Sequence, residues 1–124
     1  MKFILLIYNE EAALDALPAG QFDSMMRSCF VHVDELHEEG RLIGSQQLEP
    51  ASTARSVRVR NGRTSVVDGP FAETKEILGG FNLIEAADMD EAVRIAADFT
   101  WTDPGCIEIR PVRDMAEVRL RVGA

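Results

Sequence analysis

Asp68-Gly69-Pro70-Phe71-Ala72-Glu73-Thr74-Lys75-Glu76, followed by Ile77-Leu78-Gly79-Gly80-Phe81-Asn82-Leu83-Ile84-Glu85-Ala86, decides how the chain must be read. Gly69-Pro70 and Gly79-Gly80 bracket a polar, ionisable segment that cannot continue a regular element. It reads as an elbow joining two apolar, extended runs. Gly69 and Pro70 set the bend, Phe71 is expected to anchor it in apolar surface, and Gly79-Gly80 permits a bulge or a close backbone approach. Beyond it, residues 81–86 form a central strand.

Upstream of the elbow, Val57 and Val59 alternate with Arg58 and Arg60, and Asn61-Gly62 follows. Asn-Gly suits a two-residue type I′ turn, in which both central residues need φ > 0, so Thr64 to Val67 is predicted to pair back as a hairpin. Further upstream, residues 41–48 are extended. Before them, Phe22, Met26, Cys29, Val33 and Leu36 recur at helical spacing, which predicts a helix over 21–39 stopped by Gly40. Residues 9–19 read as a loop with a short helical turn. Lys2 to Tyr8 is a continuous apolar run, as in a strand covered on both faces. Downstream, Asp88 with Glu91 forms a capping box for a helix reaching about Thr100. Ile107 and Ile109 then alternate with Glu108 and Arg110, and Pro111 marks a strand end. From about residue 113 a tail begins in which Val118, Leu120 and Val122 alternate with Arg119 and Arg121, a pattern that admits an extra strand crossing to a partner.

The order is β-α-β-(hairpin)-β-α-β in a single domain over 1–124. That is the α+β, ferredoxin-like split βαβ plan, an antiparallel sheet with both helices on one face. Strands that are apolar on both faces leave the open face needing a cover, so a homodimer with sheets packed face to face, a dimeric α+β barrel, is expected.

Composition narrows the partners. At a net charge of −8, direct nucleic-acid binding is not expected. The arginines at 55, 58, 60 and 63 and at 110, 113, 119 and 121 read as solvated faces of extended segments. No apolar run reaches the length of a membrane span. The apolar start breaks into Tyr8-Asn9-Glu10-Glu11 without a cleavage site, so it reads as a strand, and a cytoplasmic location is expected. Cys29 and Cys106 make neither a disulfide framework nor a metal cluster, and each reads as a small buried apolar residue. The two histidines, five residues apart, complete no metal site. With no phosphate loop, dinucleotide fingerprint or serine elbow, no cofactor is expected either.

The string DGPFAETKEILGGFNLI, with the opening MKFILLIY, the later EAVRIAA and the closing IEIRPV, resembles the DGPF-type YCII-related domain proteins over roughly residues 1–113. The resemblance implies a dimeric α+β barrel and leaves the activity open. Members are often encoded beside extracytoplasmic-function sigma factors. A distant branch includes a cofactor-free enzyme that eliminates HCl from a chlorinated hydroxyquinol, thought to use a His-Asp pair. Carried over, Asp68 matches the Asp, whereas the expected helix His falls at Cys29, with His32 one turn later.

Two functional readings follow. In one, the chain is a dimer that binds a small molecule or serves sigma-factor-linked regulation. In the other, it is a cofactor-free lyase or isomerase in which Asp68 and His32 move a proton. The candidate ligand-binding residues are Tyr8 and Cys29, with Thr74 and Lys75 on the elbow, Lys75 to hold an anionic group. Each has a plainer reading: Asp68 bonding its own turn, His32 a satisfied core-edge histidine, Tyr8 a rim aromatic, Thr74 a cap and Lys75 an exposed ion pair. Trp101 reads as a packing anchor.

Overall fold

A computed structural model describes all of residues 1–124. The elements, in order, are β1 (Lys2–Asn9), α1 (Glu11–Asp15), α2 (Gln21–Glu38), β2 (Leu42–Gln47), β3 (Arg55–Arg60), β4 (Arg63–Asp68), β5 (Ile77–Glu85), α3 (Met89–Ala97), β6 (Cys106–Pro111) and α4 (Met115–Val122). Four strands form an antiparallel sheet in the order β2-β5-β1-β6, and β3 and β4 form a separate ribbon. This is the ferredoxin-like α+β fold with a hairpin inserted between its second and third strands.

The sheet's two faces differ, and the difference is written in β1. Phe3, Leu5, Ile7 and Asn9 are buried, while Ile4, Leu6 and Tyr8 between them are only half-buried. The first set faces the helices, because successive side chains point to opposite faces. There they meet Cys29 and Leu36 of α2, Ala92, Ile95 and Ala96 of α3, Ile84 of β5, and Phe99 and Trp101 after α3. The second set pairs across β5 with Leu83, Phe81 and Leu78 on the uncovered face.

Local signals account for the element ends. The Asp88 carboxylate accepts from the Glu91 N–H at 2.8 Å, and Glu91 reaches back to the Ala87 N–H. α2 ends at Gly40, where the Arg41 N–H returns to the Leu36 carbonyl, as in a Schellman closure. Asn61 and Gly62 take φ of 53° and 74°, the type I′ geometry.

Three expectations are corrected. The tail is a helix, not a strand: Asp114 accepts from the N–H groups of Ala116 and Glu117, and α4 runs from there with no buried residue. Phe71 anchors nothing, being 78% exposed. Cys106 lies exposed at the start of β6, while Cys29 is buried as expected.

Candidate functional site

The largest concavity is a cleft of about 920 Å³ on the helix side of the sheet, where β1, β2 and β5 meet α1 and α2. Its size suits a drug-sized ligand. Two backbone features of β5 open its floor. Gly79 is the extra residue of a bulge, since Tyr8 pairs with Leu78 and Ile7 with Gly80. Gly80 lies so close to β2 that a Cβ there would sit 2.6 Å from the Gln46 carbonyl oxygen. The strand edge therefore has no side chain at two successive positions, and the space falls to the cleft.

Asn9 and Asn82 stand on this floor, one at the end of β1 and one in β5. They are 7% and 2% exposed, and the carboxamide oxygen of each is buried without a hydrogen-bond partner. Such an orphaned acceptor costs about 1–3 kcal/mol, and native folds keep few of them. Gly105 packs against the Asn9 carboxamide oxygen and leaves no room there for a Cβ.

The wall is apolar. Phe22 and Met26 of α2 lie beside Trp101, with the Phe22 and Trp101 rings 5.6 Å apart and tilted by 45°. The Trp101 Nε1–H donates to the Cys29 sulfur at 3.4 Å in the interior. Burial pushes the Cys29 thiol above its ordinary value of 9.0, against the opposing effect of that bond. Cys29 is accordingly a protonated thiol at neutral pH and not an activated nucleophile. The charged lining residues are Glu11, Asp15 and Glu49; no Lys, Arg or His lines the cleft.

Of the residues singled out in the sequence, Cys29 lies in this cleft and the others lie elsewhere. His32 faces α3: its Nε2–H donates to the Ile95 carbonyl at 2.9 Å, and its ring meets Phe99 edge-on at 4.4 Å. The histidine thereby satisfies a carbonyl in the last turn of α3, a cap between helices. Asp68 ends the hairpin with its side chain 90% exposed and 3.4 Å from the Arg55 guanidinium. A His32–Asp68 acid–base pair is therefore not assembled within one chain: one partner is committed between two helices, and the other stands on an exposed ribbon. Thr74 does not cap a helical turn; its hydroxyl donates to the Glu76 carbonyl at 2.7 Å. Lys75 makes an exposed contact of 3.8 Å with Glu10. Tyr8 lies on the uncovered face of the sheet, paired with Leu78 and Cys106. No group of three or more His, Cys, Asp or Glu side chains is arranged to hold a metal ion, and no helix is long and apolar enough to cross a membrane.

Residues 1–116 match the YCII-related domain. The chain belongs to that family. It is also 38% identical over 114 residues to an uncharacterized protein of Rhizobium meliloti (strain 1021), covering 90% of this chain and 92% of that one. This YCII-related protein thus shares nearly its whole length with a relative whose name states no activity.

Asn9 and Asn82 were not singled out in the sequence. The signal that finds them is parity. In β1 the inward positions are 3, 5, 7 and 9, and in β5 they are 80, 82 and 84. Asn9 and Asn82 are the polar residues on those inward registers, where an apolar side chain is the default.

Proposed function

We propose that this YCII-related protein binds a small organic molecule in the cleft between α2 and the sheet, and that it does so as a homodimer. The observation that carries the binding reading is the pair of buried, unpartnered carboxamide oxygens on the cleft floor. Folding offers no return for leaving them unmatched, whereas a ligand that donates to them recovers the cost. A role in acid–base turnover receives less support, because the cleft has no histidine and its thiol is held protonated.

The homodimer is supported by the uncovered face, where Ile4, Leu6, Tyr8, Phe81 and Leu83 lie side by side and half-buried. Contiguous apolar surface of this kind is seldom left to water, and a second copy presents the matching face. Sedimentation of the purified chain at micromolar concentration should give a dimer, and a monomer would remove this part of the reading.

Thermal-shift screening against a metabolite library tests the binding reading. Stabilising ligands should appear for the wild-type chain and be lost in Asn82→Leu, which fills the floor and removes one carboxamide. Hits that stabilise both proteins equally would place the ligand somewhere other than this cleft.

A further inference from the structure

The chemistry of the lining also selects the ligand. Resting on the cleft as the binding site, we infer that the ligand is an uncharged planar molecule with an amide-like edge, such as a carboxamide-bearing or lactam heterocycle, and not a carboxylate or phosphate.

Charge is the first ground. The cleft's ionisable lining consists of the carboxylates Glu11, Asp15 and Glu49, with no basic side chain, on a chain whose net charge is −8. A bound carboxylate or phosphate is normally met by arginine, lysine or a row of backbone N–H groups. Here an anion would leave water for an apolar wall and three like charges, without a counter-ion to offset the desolvation. Lys75, the cation expected to receive such a group, does not line the cleft and pairs with Glu10 outside it.

Hydrogen-bond complementarity is the second ground. The indole N–H of Trp101, which would otherwise be a donor in the cleft wall, is already committed to the Cys29 sulfur. The deep polar groups left without a partner are the Asn9 and Asn82 carboxamides, with more than nine-tenths of each residue buried. A carboxamide presents an acceptor beside a donor, so its best partner is an edge with a donor beside an acceptor. Amides and nitrogen heterocycles carry that edge, as in the bidentate pairing of asparagine with a purine. A carboxylate carries acceptors only and cannot donate to either oxygen.

Shape is the third. The tilted Phe22 and Trp101 rings with Met26 form an apolar wall beside the floor, and Gly79 and Gly80 keep that floor flat. A planar ring slides into such a slot with its polar edge toward the asparagines.

Matched probes test the inference on the full-length chain. Nicotinamide and benzamide are titrated against nicotinate, benzoate and phenol at equal millimolar concentrations. The readouts are the indole N–H resonance of Trp101, the single tryptophan of the chain, and the side-chain NH₂ resonances of Asn9 and Asn82. Both amides should shift all three sites, with the acids at least about tenfold weaker. Asn82→Leu should weaken the amides by at least about tenfold. If that variant does not fold, Glu49→Gln takes its place, and it should narrow the gap between amides and acids by strengthening the acids alone. Acids or phenol shifting Trp101 as strongly as the amides would overturn the ligand class and leave the cleft standing as the site. Silence from all five probes would overturn both.

Discussion

The cleft under α2 and the hairpin with its elbow are made of opposite materials. The cleft floor holds polar side chains that are almost wholly buried, Asn9 at 7% and Asn82 at 2% exposure. The ribbon holds apolar side chains that are mostly exposed: Val57, Val59, Val66, Val67 and Phe71 all stand more than half open. Each region breaks the usual rule of apolar inside and polar outside, in opposite directions. The lesson is that a density of recognisable motif residues and a density of binding chemistry are separate properties. The stretch Asp68 to Glu76 has the longest family signature in the chain, yet its ionisable groups make only exposed contacts of 3.4 to 3.8 Å. Pairs of that kind contribute about 1 kcal/mol or less. The groups whose chemistry is left unsatisfied sit in two strands that carry no motif.

Substitutions can break this contrast, and the largest effect is expected in the core that supports the cleft. Leu5 is fully buried on β1, so Leu5→Ala should cost about 2–5 kcal/mol in urea unfolding. Phe71→Ala, which removes a larger side chain, should change stability by no more than about 0.5 kcal/mol. A comparable loss for both would show that the elbow is packed in solution, against a partner copy or against its own chain.

Gly80→Ala comes next. A methyl group there meets the Gln46 carbonyl oxygen, so β2 and β5 must part, and a loss of about 1–3 kcal/mol is expected from overpacking. Ligand affinity should fall with it. A neutral result would mean that the close approach of these two strands does not shape the floor.

Asn82→Leu should have the opposite sign. Replacing an orphaned buried acceptor by an apolar group should raise stability by about 1–2 kcal/mol in the unliganded protein while abolishing ligand binding. Destabilisation instead would mean that the Asn82 carboxamide already has a structural partner, such as a buried water.

The smallest effect is a pH dependence from Cys29. Because burial raises its folded-state pKa above the ordinary 9.0, the unfolded chain ionises first. The contribution is fully present below 9.0 and is lost as the pH rises through the higher folded value. Urea midpoints of wild type should fall between about pH 8 and pH 10 more steeply than those of Cys29→Ala. Parallel slopes would show that the thiol does not sense its burial.

Much of the fold was legible because hydrophobic period and turn chemistry agree locally. The α2 stripe, the Asp88 capping box and the Asn61-Gly62 turn each specify one element without help from the rest of the chain. The tail was not legible in its apolar pattern, because α4 buries nothing: with Leu120 85% exposed, the alternation of Val118, Leu120 and Val122 reflects no packed face. The usable signal was local, Asp114 with Glu117 three residues on. The site was less legible than the fold for a physical reason. A lone asparagine in an apolar strand gains meaning only when the register fixes which face it shares with the helices. His32 and Asp68 attracted attention as ionisable groups, but what decides their use is whom they meet, and each is engaged on a different side of the molecule.

The most direct measurement is a residue-by-residue map, by amide and side-chain NMR shifts, of where the strongest ligand from a metabolite screen binds. The cleft account predicts a footprint centred on Asn9, Asn82 and Trp101, with Asp68 and Lys75 unmoved. A footprint centred on Asp68, Thr74 and Lys75 would contradict it and return the binding site to the elbow.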